Sequence, residues 1–364
     1  MVKVELFSEE DKFLYEIQDN LVSTILYVIT EVYQNSPSIE LKAAISYGNV
    51  NKLSDFLNYI IAYPIGVDVP RIKLLQDSES FLYKSKNVQS ANINLNNDGI
   101  IVLASGGIDS TASMLSLIEN NVPFTAFWCD YGQPYRNVEG IAIHRICKEL
   151  CIPLIVAKVN LSNYIEMGVE KFKHMFPARN LLIASIAASL HPKHIILSGL
   201  VDEIIVPDKS TRMYSEAPDF LGCNIYSPFS SISKTEVLCV WKKRWNNILH
   251  VDETVTCYNV GGNCQNCAAC AKRAVAKIAS GYDLEFPKVF TTQQILISEH
   301  WLSRLASFGM PRRTDILLAL YPFLEKFPHS LSQKIASFYD IYHKEIKERQ
   351  RNLERLNNIT WRLS

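Results

Sequence analysis

An apolar run that breaks off into a small glycine-rich polar loop constrains this chain more than any other stretch. Residues 100–111 read Ile-Ile-Val-Leu-Ala-Ser-Gly-Gly-Ile-Asp-Ser-Thr. The β-branched start predicts a strand, and Met114, Leu115 and Leu117 beyond the loop predict a helix. Paired glycines let the backbone approach an anion with no Cβ in the way. The helix start adds N–H donors and the positive end of a dipole. Ser105 and Ser110 flank the loop with hydroxyls. The segment lacks the Gly-Lys-Ser/Thr ending of a Walker loop. An ordinary glycine-rich strand–helix turn is the alternative.

From Ile100 onward, short apolar strands alternate with helical stretches. Strands are predicted at 100–104, 123–129, 154–159 and 194–198, with helices at 110–119, 138–150 and 179–190. Such alternation implies right-handed βαβ units and a parallel, Rossmann-like α/β sheet. Ligands of such sheets bind beyond the carboxyl ends of the strands. Before this core, residues 1–95 carry two helical patterns. Leu14, Ile17, Leu21, Ile25, Val28 and Val32 form one, and Leu53, Phe56, Leu57, Ile60 and Ile61 form the other, closed by Pro64. The asparagine-rich stretch 92–99 reads as a linker. Residues 291–364 read as helical throughout, with stripes Trp301, Leu302, Leu305, Phe308 and Ile316, Leu317, Leu320, Phe323, Leu324. The mixed-charge tail from His343 to Arg362 reads as a solvated amphipathic helix. The expected division is a helical N-terminal extension at 1–95, a catalytic domain at 96–290 and a helical C-terminal extension at 291–364.

Lys plus Arg and Asp plus Glu both number 37, so no global basic field draws the chain to nucleic acid. The longest apolar run, Leu181–Leu190, is interrupted by Ser185 and Ser189 and is too short to cross a bilayer. No secretory layout is evident, which predicts a soluble, cytoplasmic protein. Of nine cysteines, Cys129, Cys147, Cys151, Cys223 and Cys239 are scattered and read as buried reduced thiols. The other four are spaced Cys257-x6-Cys264-x2-Cys267-x2-Cys270, around Gly261, Gly262 and Asn263. Four thiols at this spacing can close a tetrahedral structural zinc site. An iron–sulfur cluster is the other four-thiolate solution.

Three single residues stand out. Asp130 opens Asp-Tyr-Gly-Gln just after the second core strand, beside the loop or in a plain Asp-x-Gly turn. Arg179, in Phe-Pro-Ala-Arg-Asn, sits at a helix start where the dipole disfavours a cation. That suggests a phosphate or carboxylate partner, against a plain surface arginine. Lys234 lies inside the capping box Ser233-Lys234-Thr235-Glu236 and either reaches a phosphate or is solvated.

The loop Ser105–Ser110 matches the SGGxDS signature and resembles the PP-loop ATP pyrophosphatases. The further order of Asp130-Tyr131-Gly132-Gln133 with Arg136 and Glu139, then Pro177–Asn180, Ser233–Glu236 and the cysteine cluster running to Arg273, resembles the QueC family of 7-cyano-7-deazaguanine synthases over about residues 98–287. The resemblance implies that the carboxylate of 7-carboxy-7-deazaguanine attacks ATP to give an acyl adenylate. Ammonia then forms the amide, and a second activation yields the nitrile. It implies that Ser105, Gly106, Gly107, Ile108, Asp109 and Ser110 hold pyrophosphate and magnesium, with Asp130 beside them. By the same carry-over Arg179 and Lys234 meet phosphate or carboxylate, and the cysteines bind zinc.

Three departures qualify the resemblance. Gln265 replaces a usual glycine in the cysteine cluster. In Asp202–Ser210, Val206 replaces a tyrosine and Lys209-Ser210 replace Cys-Arg of the substrate segment. Both extensions are additional to the compact family members. Such members with extra regions occur in bacterial antiviral defence operons, where the activated base would pass to a protein amine. The extensions are then candidate docking surfaces for a partner protein or for a second copy in a homodimer. A tRNA-thiolating enzyme would need Cys129 as nucleophile, and a non-enzymatic scaffold would not need the intact loop.

Overall fold

In the computed structural model the described residues are 4–8, 13–16, 21–22, 24–26, 28, 38–43, 50–62, 71–76, 99–132, 136–159, 179–199, 212–257, 263–264, 267–282 and 292–356. Gln133, Phe176–Ala178 and the segment Asp202–Ser210 lie outside them, as do the linker 92–98, Gly261, Gly262 and Gln265.

The chain opens with strands β1 (Val4–Ser8), β2 (Phe13–Glu16) and β3 (Ser38–Ala43), helix α1 (Val50–Ala62) and β4 (Arg71–Gln76). The alternation then runs β5 (Ile100–Leu103), α2 (Ile108–Glu119), β6 (Thr125–Asp130), α3 (Arg136–Glu149), β7 (Leu154–Val159), α4 (Arg179–Ala188), β8 (His194–Ile196) and β9 (Asn224–Tyr226). All four predicted core strands and all three predicted helices form, with ends shifted by a few residues. The sheet has the order β2-β1-β7-β6-β5-β8-β9. Its five members from β7 to β9 are parallel, while β1 pairs antiparallel with both β7 and β2.

The N-terminal region is richer than its helical spacing suggests. Helix α1 forms, and residues 21–22, 24–26 and 28 are helical, but Leu14 of the first stripe lies in strand β2. The reason is long-range: β1 finds hydrogen-bonding partners on β7, from Val4 opposite Val159 to Ser8 opposite Ile155. Strands β3 and β4 form a separate parallel pair.

The chain forms two compact units that do not follow its order. One comprises 1–105, 121–197 and 206–227, and the other 106–120, 198–205 and 228–364. The first therefore holds the whole sheet, with Leu6, Ile101, Phe127, Ile155 and Ile195 in its core. Here α3 approaches β6 so closely that a Cβ on Gly140 would lie 2.6 Å from Cη2 of Trp128. Gly140→Ala is expected to overpack this contact and cost about 1–3 kcal/mol, measured as a lower midpoint of thermal unfolding.

The second unit contains α2, α5 (Lys234–Val240), which continues into a π-helical turn at Trp241–Trp245, and α6 (Ala268–Ala279). The C-terminal helices follow as α7 (Thr292–Ser303), α8 (Met310–Leu320), α9 (His329–Ile341) and α10 (His343–Leu356). Trp301, Leu302, Leu305, Ile316, Leu317 and Leu320 are buried together as their stripes predict, with Ile335 and Ile346. Ala271 and Val275 of α6 pack on the same core, so the C-terminal helices share a core with the helix that follows the cysteines. Among the described residues, no helix is long and apolar enough to cross a membrane. Cys129, Cys147, Cys223 and Cys239 are buried, but Cys151 is exposed in a turn with φ of +54°.

Candidate functional site

Within the first unit, Ser105 lies just past the carboxyl end of β5, and Asp130 is the last residue of the adjacent parallel strand β6. Leu103 stands opposite Phe127 in register, and the Ala104 N–H donates to the Phe127 carbonyl at 2.8 Å. One oxygen of Asp130 accepts the Gly132 N–H at 2.9 Å, so the Asp-x-Gly turn does form. That turn fixes the carboxyl group at the sheet end where ligands of such sheets bind. Arg179 is the first residue of α4 and is half-buried.

The chain passes into the second unit between Ser105 and Gly106. Gly106 has φ of +69°, a left-handed conformation that a side chain would strain. Gly107 is the N-cap of α2 and contributes no capping side chain. Ser110 Oγ donates back to the Gly107 carbonyl at 3.3 Å. The Val255 N–H donates to the Gly106 carbonyl at 2.8 Å, bracing the loop from the segment that leads to Cys257.

Asp109 and Lys234 are brought together here. Lys234 Nζ lies 3.1 Å from Asp109 Oδ2, and Lys234 is only 6% exposed. It is therefore not a solvated lysine. A buried ammonium is tolerated only when paired. Lys234 begins α5, whose capping box is complete: Ser233 Oγ accepts the Glu236 N–H and Glu236 accepts the Ser233 N–H. The box engages Ser233 and Glu236, and the lysine between them reaches Asp109.

The four cysteines converge. Their sulfur atoms all lie within 4.8 Å of one another. Cys257 and Cys267 are 3.9 Å apart, and Cys264 and Cys270 are 4.0 Å apart. Tetrahedral coordination at a Zn–S distance of about 2.3 Å requires sulfurs about 3.8 Å apart, so the set fits a single zinc ion. It is too tight to enclose the several metal and sulfide atoms of a cluster. Cys267 is the N-cap of α6 and accepts the Cys270 N–H at 3.4 Å, while Cys257 accepts the Cys264 N–H at 3.4 Å. N–H donors thus face the sulfurs of Cys257 and Cys267, and α6 begins at the cluster.

One turn beyond Cys270, Arg273 is buried and donates to the Thr254 carbonyl, Thr254 Oγ1, Thr256 Oγ1, the Val251 carbonyl and Asp252. It thereby holds the same 251–256 segment that braces Gly106. Burial works against the Asp252 carboxylate, but bonds from Lys277 and Arg273 prevail and hold its pKa below the ordinary value. In the sequence Arg273 stands only at the end of the cysteine motif, which does not assign it this role. Its i+3 spacing from Cys270 on one helix was the available signal. Cys129 is 1% exposed inside β6, poor placement for the nucleophile of a thiolating enzyme.

Comparison with known proteins places these features in one region. Residues 99–280 match the family model described as queuosine biosynthesis protein QueC. A 7-cyano-7-deazaguanine synthase of Staphylococcus haemolyticus is 30% identical over 216 residues, which cover 50% of this chain and 93% of that protein. Its namesake from Marinomonas sp. is 26% identical over 211 residues, covering 50% of this chain and 94% of that protein. One from Sulfolobus acidocaldarius is 27% identical over 220 residues, covering 51% of this chain. The match spans only about half, 47%, of that archaeal protein's length. The match contains the loop, the Asp109–Lys234 pair and all four cysteines, and it ends with α6.

Proposed function

Because the chain belongs to the QueC family, we propose that it is an ATP-dependent ligase that activates 7-carboxy-7-deazaguanine and joins its acyl carbon to nitrogen. The observation that carries this reading is the Asp109–Lys234 pair in the first turn of α2, just after the glycine loop, which supplies a buried positive group suited to a phosphate chain. A carboxylate oxygen of the substrate attacks the α-phosphorus of ATP, and the bond to the β-bridging oxygen breaks to release pyrophosphate. Ammonia then attacks the acyl carbon. AMP departs with the former carboxylate oxygen, a proton passes to solvent, and the amide remains. A second ATP activates the amide oxygen in the same way, releasing pyrophosphate and a proton. Loss of AMP with the oxygen and of the remaining N–H proton to solvent leaves the nitrile, 7-cyano-7-deazaguanine.

The chain's own groups bind and orient. Ser105, the Gly106–Gly107 backbone, Ile108 N–H, Ser110 and the α2 dipole hold the leaving pyrophosphate. Lys234 offsets charge developing on it, and Arg179 meets phosphate or the substrate carboxylate. Magnesium would neutralise further phosphate charge, with Asp109 as the carboxylate beside the loop available to it. Zinc on the four cysteines is structural, since four thiolates leave no open position.

The test is mass spectrometry of the base after incubation with ATP, the carboxy-deazaguanine and ammonia. ATP-dependent amide or nitrile supports the reading, and an unchanged acid refutes ammonia as acceptor. A second reading starts from the extent of the family match, which covers residues 99–280 and leaves β1–β4 and α7–α10 outside it. In it the acceptor is an amine of a protein that docks on those additions. Intact mass of proteins encoded beside the chain would then rise by one deazaguanine acyl group.

A further inference from the structure

Helix α10 carries a charge on its buried face. Ile346 and Leu353 are buried, and Arg349, one turn from each, is 3% exposed. Its guanidinium is engaged on every side. Nε and Nη2 donate to the two oxygens of Asp315 at 2.8 and 3.0 Å. Nη2 also donates to Ser233 Oγ at 2.5 Å, and Nη1 lies 2.9 Å from Glu236. Burial opposes the guanidinium charge, but Asp315 and Glu236 more than offset it, so the pKa of Arg349 is raised and it stays cationic. Burial likewise pushes the Asp315 carboxyl up, against the Arg349 bonds that pull it down.

Ser233 and Glu236 are the two halves of the capping box that starts α5, and Lys234 stands between them. Arg349 thus grips both capping groups of the turn that aims Lys234 at Asp109. A helix anchor alone would need only the Asp315 fork. The additional bonds to Ser233 and Glu236 fix the α5 turn itself, and a planar, multiply bonded guanidinium is suited to that. Arg349 lies beyond residue 280, where the family match ends, so this brace belongs to the C-terminal helices.

We propose that Arg349 is a positioning residue of the nucleotide site, acting through the first turn of α5 to keep Lys234 on Asp109. The inference rests on the reading that Lys234 serves the phosphates of ATP. It is tested with a double-variant cycle in the full-length chain. AMP release, the KM for ATP and the thermal midpoint are measured for wild type, Lys234→Met, Arg349→Met and the double variant. Leu353→Ala serves as the comparator that loosens α10 without touching the guanidinium.

Arg349→Met is expected to lower kcat on the order of 10²-fold, the scale of a small misplacement of an acting group. Added to Lys234→Met it should lower kcat no further, because both act through one group. Leu353→Ala should reduce the thermal midpoint and leave kcat within about twofold, as loosened packing remote from the site predicts. Where Arg349→Met yields no folded protein, Arg349→Lys, which keeps the charge but loses the fork, is carried through the same cycle. Multiplicative losses in the double variant, or full kcat in folded Arg349→Met, overturn the inference while leaving the functional reading in place. Absence of AMP from the wild type overturns that reading, and the inference with it.

Discussion

Cys267→Ser is expected to yield a chain that does not retain zinc and unfolds far below the wild type, if it accumulates at all. The four sulfurs are already gathered within 4.8 Å, close enough for one ion to join Cys257, Cys264 and α6. Structural zinc in four-ligand sites contributes on the order of 10–16 kcal/mol of apparent binding free energy at neutral pH. A domain's whole stability is only about 5–15 kcal/mol. Losing even part of the metal term therefore removes most of the margin. A serine at 267 can still cap α6 by accepting the Cys270 N–H, so the loss reports on the metal ligand and not on the cap. The damage should spread along α6 to Arg273, and through the 251–256 segment to the Gly106 carbonyl. Metal analysis should give about one zinc per wild-type chain. Thermal unfolding with and without a strong chelator should show the wild type falling toward the variant. A wild-type chain that is equally stable without metal would remove the structural role of zinc.

Lys234→Met should abolish most turnover. Removing one group that stabilises developing charge in a dry site costs about 10²–10³-fold in kcat. The substitution also leaves the Asp109 carboxylate, 17% exposed, without its ammonium partner. Breaking a buried pair from one side costs about 3–5 kcal/mol. Adding Asp109→Asn to Lys234→Met should recover much of the stability, since the carboxylate charge is removed with its ammonium partner, while turnover stays low because both site groups are gone. Full turnover in folded Lys234→Met by itself would show that Lys234 serves the fold alone. The measurements are steady-state AMP release and chemical denaturation of the same preparations.

The parts legible in the sequence are those written in short-range pattern. The β5–loop–α2 segment and the alternation that follows are local in period, and the structure reproduces them. The four cysteines are close in sequence, so their spacing already implies convergence. What was not legible depends on distant partners. Strand β1 carries an alternating signal, with Val4 and Leu6 buried and Glu5 between them less so, but its strand identity is completed by β7, far along the chain. Arg349 reads as one more charge in a charged tail. Only the burial of Ile346 and Leu353 on the same helix face marks its side as interior. Its partners Ser233 and Asp315 stand 116 and 34 residues away, and no periodicity encodes such pairings. Lys234 was ambiguous for the same reason, since its capping box accounts for its neighbours and the ion pair that defines it lies on another helix.

The most direct test of the chemistry follows oxygen. The enzyme is incubated with ATP, ammonia and 7-carboxy-7-deazaguanine labelled with 18O in its carboxylate, and the nucleotide products are weighed by mass spectrometry. Adenylation predicts AMP carrying one 18O and unlabelled pyrophosphate, because the attacking carboxylate oxygen leaves on the α-phosphorus. ADP with 18O in free phosphate would instead mean attack at the γ-phosphorus, and would contradict the assignment of the Ser105–Ser110 loop as the holder of a leaving pyrophosphate.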